Sequence, residues 1–536
     1  MKHFIVVGSG PTGVHFALTL LKRGHRVTML DTGHRRTEPA FPDASFDQLK
    51  DQLTDPVSWF LGPQFDAIVL PGTRESFYAF PPSKNFVFAA PRGFSFSSTN
   101  MQPRFSFAQG GLAESWTGGV YPYTDTDLVD YPIGYADLKP AYQEIARRIG
   151  ISAERDDLEQ FMPFEADYLD PLPLDAHSSH LLSVYARRRK ILNRAFGAYI
   201  GRSRVATISR DYAGRKACNQ CGRCLLGCPT RSIYSPTSTL SECLGYTHFE
   251  YRPGVLVTDF SYTDDHRLTG FGAVSLADGS RLEFRGDEYV LAAGTLLSAK
   301  ILLDSVYRKT GQVESLTGLM DNRMIHLPFL TLAMVGGESA NAKYQFHHLA
   351  LGLVARDPRD YLHGQITTLK GASVHPILQS MPVNLRSAVG IFRTIRSGLG
   401  LANVSLSDRR RPESRITIEP MRGSAETKLV IDYHADSTEP QRIARAIRRT
   451  KRALSLLGAI VPPGLTRVLP AGGGIHYAGT IPMSAAKQRF ACSKDCRSHD
   501  FRNLLIVDGS TLPFLPSKNH TFTLMANAVR AAEHAS

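Results

Sequence analysis

The chain has 536 residues, 43% of them hydrophobic and 21% charged, with a formal net charge of +13. That length can bury a large core and predicts two structural units, and the balance of apolar and charged residues excludes long disorder. No run of about eighteen apolar residues occurs, which excludes a transmembrane helix.

Met1 leads directly into an apolar strand ending Phe4-Ile5-Val6-Val7, which leaves no room for a signal peptide and predicts a cytoplasmic protein with reduced thiols. Gly8-Ser9-Gly10-Pro11-Thr12-Gly13 follows at once. A helix is expected from about Thr12 to Arg23, with Val14, Ala17, Leu18 and Leu21 on one face. A second strand, Arg-Val-Thr-Met-Leu, then ends in Asp31. In this order the glycines have separate tasks: a tight turn at Gly8, close approach of backbone to a pyrophosphate at Gly10, and helix–strand packing at Gly13. The pyrophosphate sits on the positive helix N-terminus, and Asp31 is placed to accept hydrogen bonds from ribose hydroxyls. This dinucleotide fingerprint alone does not separate FAD from NAD.

Further along, Cys218, Cys221, Cys224 and Cys228 form the run C-x2-C-x2-C-x3-C-P, four of the chain's seven cysteines. Bacterial ferredoxins hold iron–sulfur clusters with this spacing. It predicts a [4Fe-4S] or [3Fe-4S] cluster on those four thiolates. A zinc or metal-free thiol loop and strained local disulfides are the alternatives. The last ligand is open: Cys228, or one of Cys243, Cys492 and Cys496, or none, with a three-iron cluster on three thiolates.

The arginine clusters Arg187-Arg188-Arg189-Lys190, Arg409-Arg410-Arg411 and Arg448-Arg449 lack interleaved aromatics, which argues against a nucleic-acid partner. They read as a solvated basic face or as a surface for an anionic partner, substrate or lipid. The stretch 385–401 mixes Val389, Ile391, Phe392, Ile395 and Leu399 with three arginines, as an interfacial helix at a membrane surface, a substrate lid or an ordinary buried helix does. Strands at 414–419 and 428–433 and a basic helix from about 439 to 457 follow, and Pro462-Pro463-Gly464 marks a return.

Several segments resemble the glucose–methanol–choline (GMC) oxidoreductase family, in that family's order. They are Gln109-Gly110-Gly111-Leu-Ala-Glu-Ser115-Trp116, Tyr289-Val-Leu-Ala-Ala293-Gly294-Thr295, His476-Tyr-Ala-Gly479-Thr480, Asn503-Leu-Leu-Ile-Val-Asp508-Gly509-Ser510 and Asn519-His520-Thr521. The resemblance is weaker in 156–200 and 331–460. It implies FAD as the cofactor and an α/β fold, a Rossmann-like FAD-binding domain with a mostly antiparallel α+β substrate domain. The FAD domain is then built from 1–155, 201–330 and 461–536, the substrate domain from 156–200 and 331–460. By resemblance, FAD is held by Gly8, Gly10, Pro11, Thr12, Gly13, Asp31, Gly110, Gly111, Ser115, Trp116, Val255, Ala293, Gly294, Asp508, Gly509 and Thr521. Two departures matter. Ser115 stands where members resembling pyranose oxidase carry the histidine that bonds flavin covalently, so that attachment is absent. His520 stands where the family commonly has proline, and it either enters catalysis or fills the proline's place.

Oxidising an alcohol requires removal of a hydroxyl proton and a carbon-bound hydride. Histidine suits the proton, and by resemblance His476 and Asn519 are the catalytic pair, with Asn519 aligning the hydroxyl. The expected function is therefore an FAD-dependent dehydrogenase that oxidises a CH–OH group of a sugar, polyol or related small-molecule alcohol to a carbonyl by hydride transfer to flavin. Its electrons leave through the iron–sulfur cluster to an electron-transfer protein. The alternative is an oxygen-using alcohol oxidase with a structural thiol or zinc site. A non-enzymatic redox sensor is a different class of reading, against which His476 and Asn519 argue. Tyr344, Gln345, His347, His348 and Gln365 suit a polyol or sugar, and the apolar stretch near 385–401 suits a lipid-linked alcohol.

Overall fold

A computed structural model describes residues 1–36, 44–65, 81–339, 343–368, 377–378, 381–423 and 426–535. Within it the strand His3–Val7 is flanked by Arg26–Leu30 and Glu288–Leu291 in parallel register, with Phe249–Arg252 and Leu504–Ile506 at the two edges. Parallel sheets are covered on both faces, and this one alternates accordingly. Phe4 and Val6 pack against the helices Pro11–Lys22, Tyr135–Ile149 and Thr521–Ala535, while Ile5 and Val7 face a second core around Thr295–Thr310. Pro11 occupies the first turn of its helix, where its missing N–H costs no hydrogen bond.

The second large sheet is antiparallel, in the order Ala459–Ile460, Met324–Thr331, Leu399–Ser405, Leu362–Thr368, Leu349–Leu353, Ala198–Arg202, with Arg467–Val468 also pairing to Met324–Thr331. Its two faces differ because side chains alternate along each strand. Ile325, Leu327, Phe329, Ala402, Val404 and Ile366 join the core beneath the helices Ala176–Phe196 and Glu439–Leu456. His326, Pro328, Leu401, Asn403, Gln365 and Thr367 point the other way, into a cavity. Gly400 lies opposite Phe329, and a Cβ there would fall 2.2 Å from the phenyl ring, so only glycine lets that ring lie flat on the sheet.

The strand pairings cut the chain differently from the boundaries expected at 200 and 330. Ala198–Arg202 and Met324–Thr331 belong to the antiparallel sheet. The strands Arg415–Pro420 and Thr427–Asp432, expected in the substrate domain, pair instead with Ser315–Thr317 and with Phe96–Thr99. Their Ile416, Ile418, Leu429 and Ile431 enter the core shared with Ile5 and Val7. Within 385–401 the helix runs only over Leu385–Ile395, and Leu399 already begins a strand. No described helix is long and apolar enough to cross a membrane.

Candidate active site

A cavity of about 1470 Å³ runs from the first glycine turn to the antiparallel sheet. At one end Gly8 has φ 102° and Gly13 packs so closely that a Cβ would meet the Gly8 carbonyl oxygen at 2.0 Å. A Cβ built on Gly10 meets nothing within 4 Å, which leaves open space at the helix N-terminus, the place for an anion. Asp31 accepts from the hydroxyls of Ser9 and Tyr251, and burial pushes its carboxyl up to about 6. Asp508 accepts from the Gly294 N–H at 3.0 Å and from Ser298 and Ser510, which ties the two later glycine turns together. Pro11, Thr12, Gly111, Ser115, Trp116, Val255, Ala293, Gly509 and Thr521 also line the cavity; Gly13 and Gly110 shape the turns behind it. These residues fit FAD: an open glycine turn, a carboxylate at the ribose position, and a cavity continuing beyond them.

At the far end stand His476, Asn519 and His520. The short strand Tyr477–Ala478 pairs with Met320–Asp321, and this brings Asn322 beside His476. Ile475, a β-branched residue at φ 57°, bends the chain just before the imidazole, an unusual backbone state of the kind that gathers at functional sites. Asn322 is fully buried, and its amide orientation is determined by its partners. Its Nδ2 donates to the carbonyls of Leu406 at 2.9 Å and Pro516 at 3.1 Å, so its Oδ1 must face His476 Nδ1, 3.2 Å away. An oxygen there can only accept, so Nδ1 carries the proton and Nε2 is left with its lone pair. Burial pushes the His476 imidazole down to about 4, which keeps it neutral at physiological pH. The result is a neutral imidazole with a defined tautomer.

Asn519 is oriented in the same way. Its Oδ1 accepts from Gln365 Nε2 at 3.0 Å, and its Nδ2 lies 3.5 Å from His476 Nε2. That separation is long for a direct bond. A hydroxyl lodged beside the pair could donate to Nε2 and accept from Nδ2. His520 stands edge-on to His476, with ring centroids 4.8 Å apart, and burial lowers its pKa well below the ordinary value.

Sequence reasoning missed Asn322, which belongs to no recognisable motif and meets His476 only through strand pairing. Of the five polar residues expected to face substrate, Gln345, His347 and Gln365 line the cavity. Tyr344 and His348 turn away: the His348 ring meets the Tyr344 carbonyl at 3.1 Å and Asp175 at 3.6 Å.

The cysteine run forms a half-buried loop against the cavity wall. Leu225 lines the cavity, and Gln345, another lining residue, donates its backbone N–H to Cys224 Sγ at 3.4 Å. Cys228 Sγ contacts Ser232 Oγ at 3.1 Å and Thr230 Oγ1 at 3.4 Å. Burial pushes the Cys218 thiol up to about 11 and Cys224 well above its ordinary value, and neighbouring thiols add to both shifts. Among the described residues no three His, Cys, Asp or Glu side chains converge on a single ion. Cys243, Cys492 and Cys496 are buried in the core behind the parallel sheet, where Cys243 Sγ approaches the Val14 carbonyl and Cys496 accepts from Asn527. They are not part of the loop.

Residues 410–528 match the family model described as GMC oxidoreductase. The chain is 23% identical to the 2-methyl-1,2-propanediol dehydrogenase of Mycolicibacterium austroafricanum, over 99% of this chain and 94% of that protein. It is 22% identical to the paromamine 6'-oxidase of Streptomyces fradiae, over 99% of this chain and 90% of that one. Among solved structures, pyridoxine 4-oxidase from Mesorbium loti superposes with a TM-score of 0.62 at 16% identity, covering 100% of this chain and 99% of that one. Residues 410–528 thus match the GMC oxidoreductases, and over nearly its whole length the chain is similar to proteins named as a diol dehydrogenase and an oxidase.

Proposed function

We propose that this protein is a dehydrogenase that oxidises a CH–OH group of a sugar, polyol or related alcohol to a carbonyl, and that its electrons leave by way of the cysteine run to an electron-transfer protein. The observation that carries the oxidation is the pairing of His476 Nε2 with the Asn519 amide at 3.5 Å, on the cavity wall and with the imidazole tautomer set by Asn322. Bound FAD supplies the two-electron acceptor. A substrate hydroxyl between the two side chains donates its proton to Nε2 while its oxygen accepts from Asn519 Nδ2, which orients the carbon. Gln365 prevents the Asn519 amide from turning over. The burial that keeps Nε2 unprotonated also disfavours the imidazolium, so the base returns to its neutral form between turnovers.

The position of the run beside the cavity supports the second part. Held by Cys218, Cys221, Cys224 and Cys228, an iron–sulfur core supplies one-electron carriage. Without metal Cys218, Cys221 and Cys224 stay protonated and inert, because burial raises their pKa values. Protein prepared without oxygen should contain about three or four irons and matching sulfide per chain, and should reduce a one-electron acceptor faster than dioxygen. One equivalent of zinc, no sulfide, and brisk peroxide production would overturn the electron exit. They would leave an oxygen-using alcohol oxidase with a structural thiol site, the reading favoured by relatives named as oxidases.

A further inference from the structure

The antiparallel sheet places a row of polar side chains across the roof of the reacting end. His326 lies directly opposite Asn403, and Asn403 opposite Gln365, on three adjacent strands. Side chains directly opposite one another sit roughly 5 Å apart at Cβ, so the three form one continuous line. The line ends at the catalytic pair, because Gln365 donates to Asn519. His347 completes it from the adjacent segment: a Cβ on Gly119 would meet both Gln365 Nε2 at 2.7 Å and His347 Nε2 at 3.1 Å. The next row along the sheet is mostly apolar, with Pro328 opposite Leu401 and Leu401 opposite Thr367.

The polar row is not satisfied within the protein. Asn403 Oδ1 and His347 Nε2 are buried atoms without a hydrogen-bond partner, and His347 is only 2% exposed. Buried polar groups are rarely left unpaired without cause, and here both atoms belong to residues lining the cavity.

Charge narrows what can satisfy them. Four carboxylates line the cavity, Asp31, Asp304, Glu426 and Asp508, and all lie outside the antiparallel sheet. The sheet itself contributes no acid to the described lining, and Arg467, opposite His326, adds a positive charge. Burial holds His326 and His347 neutral, each pushed down to about 3. Neutral imidazoles and amides each offer a donor and an acceptor, as a hydroxyl does, whereas an ammonium group only donates.

We propose that the row His326–Asn403–Gln365, with His347, reads hydroxyl groups next to the reacting carbon, so that the substrate is an uncharged polyol rather than an amine-bearing sugar or a simple alkanol. This rests on the alcohol-oxidation reading above. It is tested on the flavin-loaded protein with three six-carbon primary alcohols: glucitol, its 1-amino analogue glucamine, and hexan-1-ol. The expected order of kcat/KM for flavin reduction is glucitol well above both others. A site built to bind hydroxyls strongly rejects an analogue lacking them. Asn403→Leu should shrink the glucitol-to-hexanol ratio by about 10- to 100-fold, the effect of leaving a hydroxyl unpaired. Asn403→Asp should move the preference towards glucamine, which provides a readout even if the leucine variant folds poorly. The inference is overturned if hexan-1-ol or glucamine matches glucitol in the native protein. An unchanged glucitol-to-hexanol ratio in a folded, flavin-loaded Asn403→Leu overturns it as well. If alkanols and polyols alike fail to reduce the flavin, the alcohol-oxidation reading falls, and this inference with it.

Discussion

Replacing Asn322 by alanine should damage both the base and the fold, in separable amounts. The fully buried amide makes three side-chain hydrogen bonds, to His476 Nδ1 at 3.2 Å and to the Leu406 and Pro516 carbonyls at 2.9 and 3.1 Å. At about 1 kcal/mol each, their loss should destabilise the protein by about 3 kcal/mol. Only the first bond bears on the chemistry. It favours the tautomer with the lone pair on Nε2, and losing about 1 kcal/mol of that preference shifts the tautomer ratio about fivefold against the competent form. Single-turnover flavin reduction should therefore slow by up to about fivefold in protein that still holds its flavin. Asn322→Asp distinguishes positioning from mere packing. It keeps an acceptor against Nδ1 but adds negative charge, so the pH below which reduction fails should rise from near 4 by a unit or more. Reduction at the native rate in the alanine variant, with an unshifted pH profile in the aspartate variant, would refute the assignment of Asn322.

Gly10 has φ −63° and ψ 177°, which alanine adopts freely, and a Cβ there touches no protein atom. Gly10→Ala should thus leave the apoprotein's urea midpoint unchanged while weakening FAD binding by about 10-fold or more, the scale of one methyl crowding a close contact; equal FAD affinity would contradict the pyrophosphate placement. Cys221→Ser should remove iron and sulfide yet leave flavin reduction by alcohol largely intact, with delivery to a one-electron acceptor falling. Iron content equal to that of the native protein would count against the ligand set. Asp321 is a buried carboxyl raised to about 8 by burial, above the 3.8 of its ordinary state. Between those values the native state binds a proton that the unfolded chain does not. Stability is therefore fully present below about 4 and is lost as pH rises towards 8, at about 1.4 kcal/mol per pH unit. Asp321→Asn should lose this dependence, so that denaturation midpoints of variant and native protein diverge as pH rises from 4 to 8.

The parallel half of the fold was legible because its signals are local. Strand, glycine turn and helix follow one another in residues 3–22, and each glycine's task is set by neighbours within ten residues or by one later turn. The proposed catalytic pair, His476 and Asn519, rests on resemblance for its sequence signal, since nothing in the periodicity around 476 or 519 marks it. What stayed hidden depends on pairings far apart in the chain. Arg415–Pro420 reads as a substrate-domain strand by position, but its partner is Ser315–Thr317, about 100 residues earlier. Asn322 and Asn403 look like ordinary polar residues until sheet register brings the first to His476 and the second between His326 and Gln365. The helix expected across 385–401 failed at its end because Leu399 and Leu401 fit a half-buried strand as well as a helix face, and the sheet decides between them.

The most direct test of the central claim is anaerobic mixing of the flavin-loaded protein with excess polyol, followed by absorbance in a stopped-flow instrument. The flavin bands should bleach in a single turnover in the native protein. His476→Ala should slow the bleaching by about 10²-fold or more, the scale of losing a positioned base, at unchanged flavin content. Bleaching at the native rate in that variant would contradict the assignment of His476 as the base.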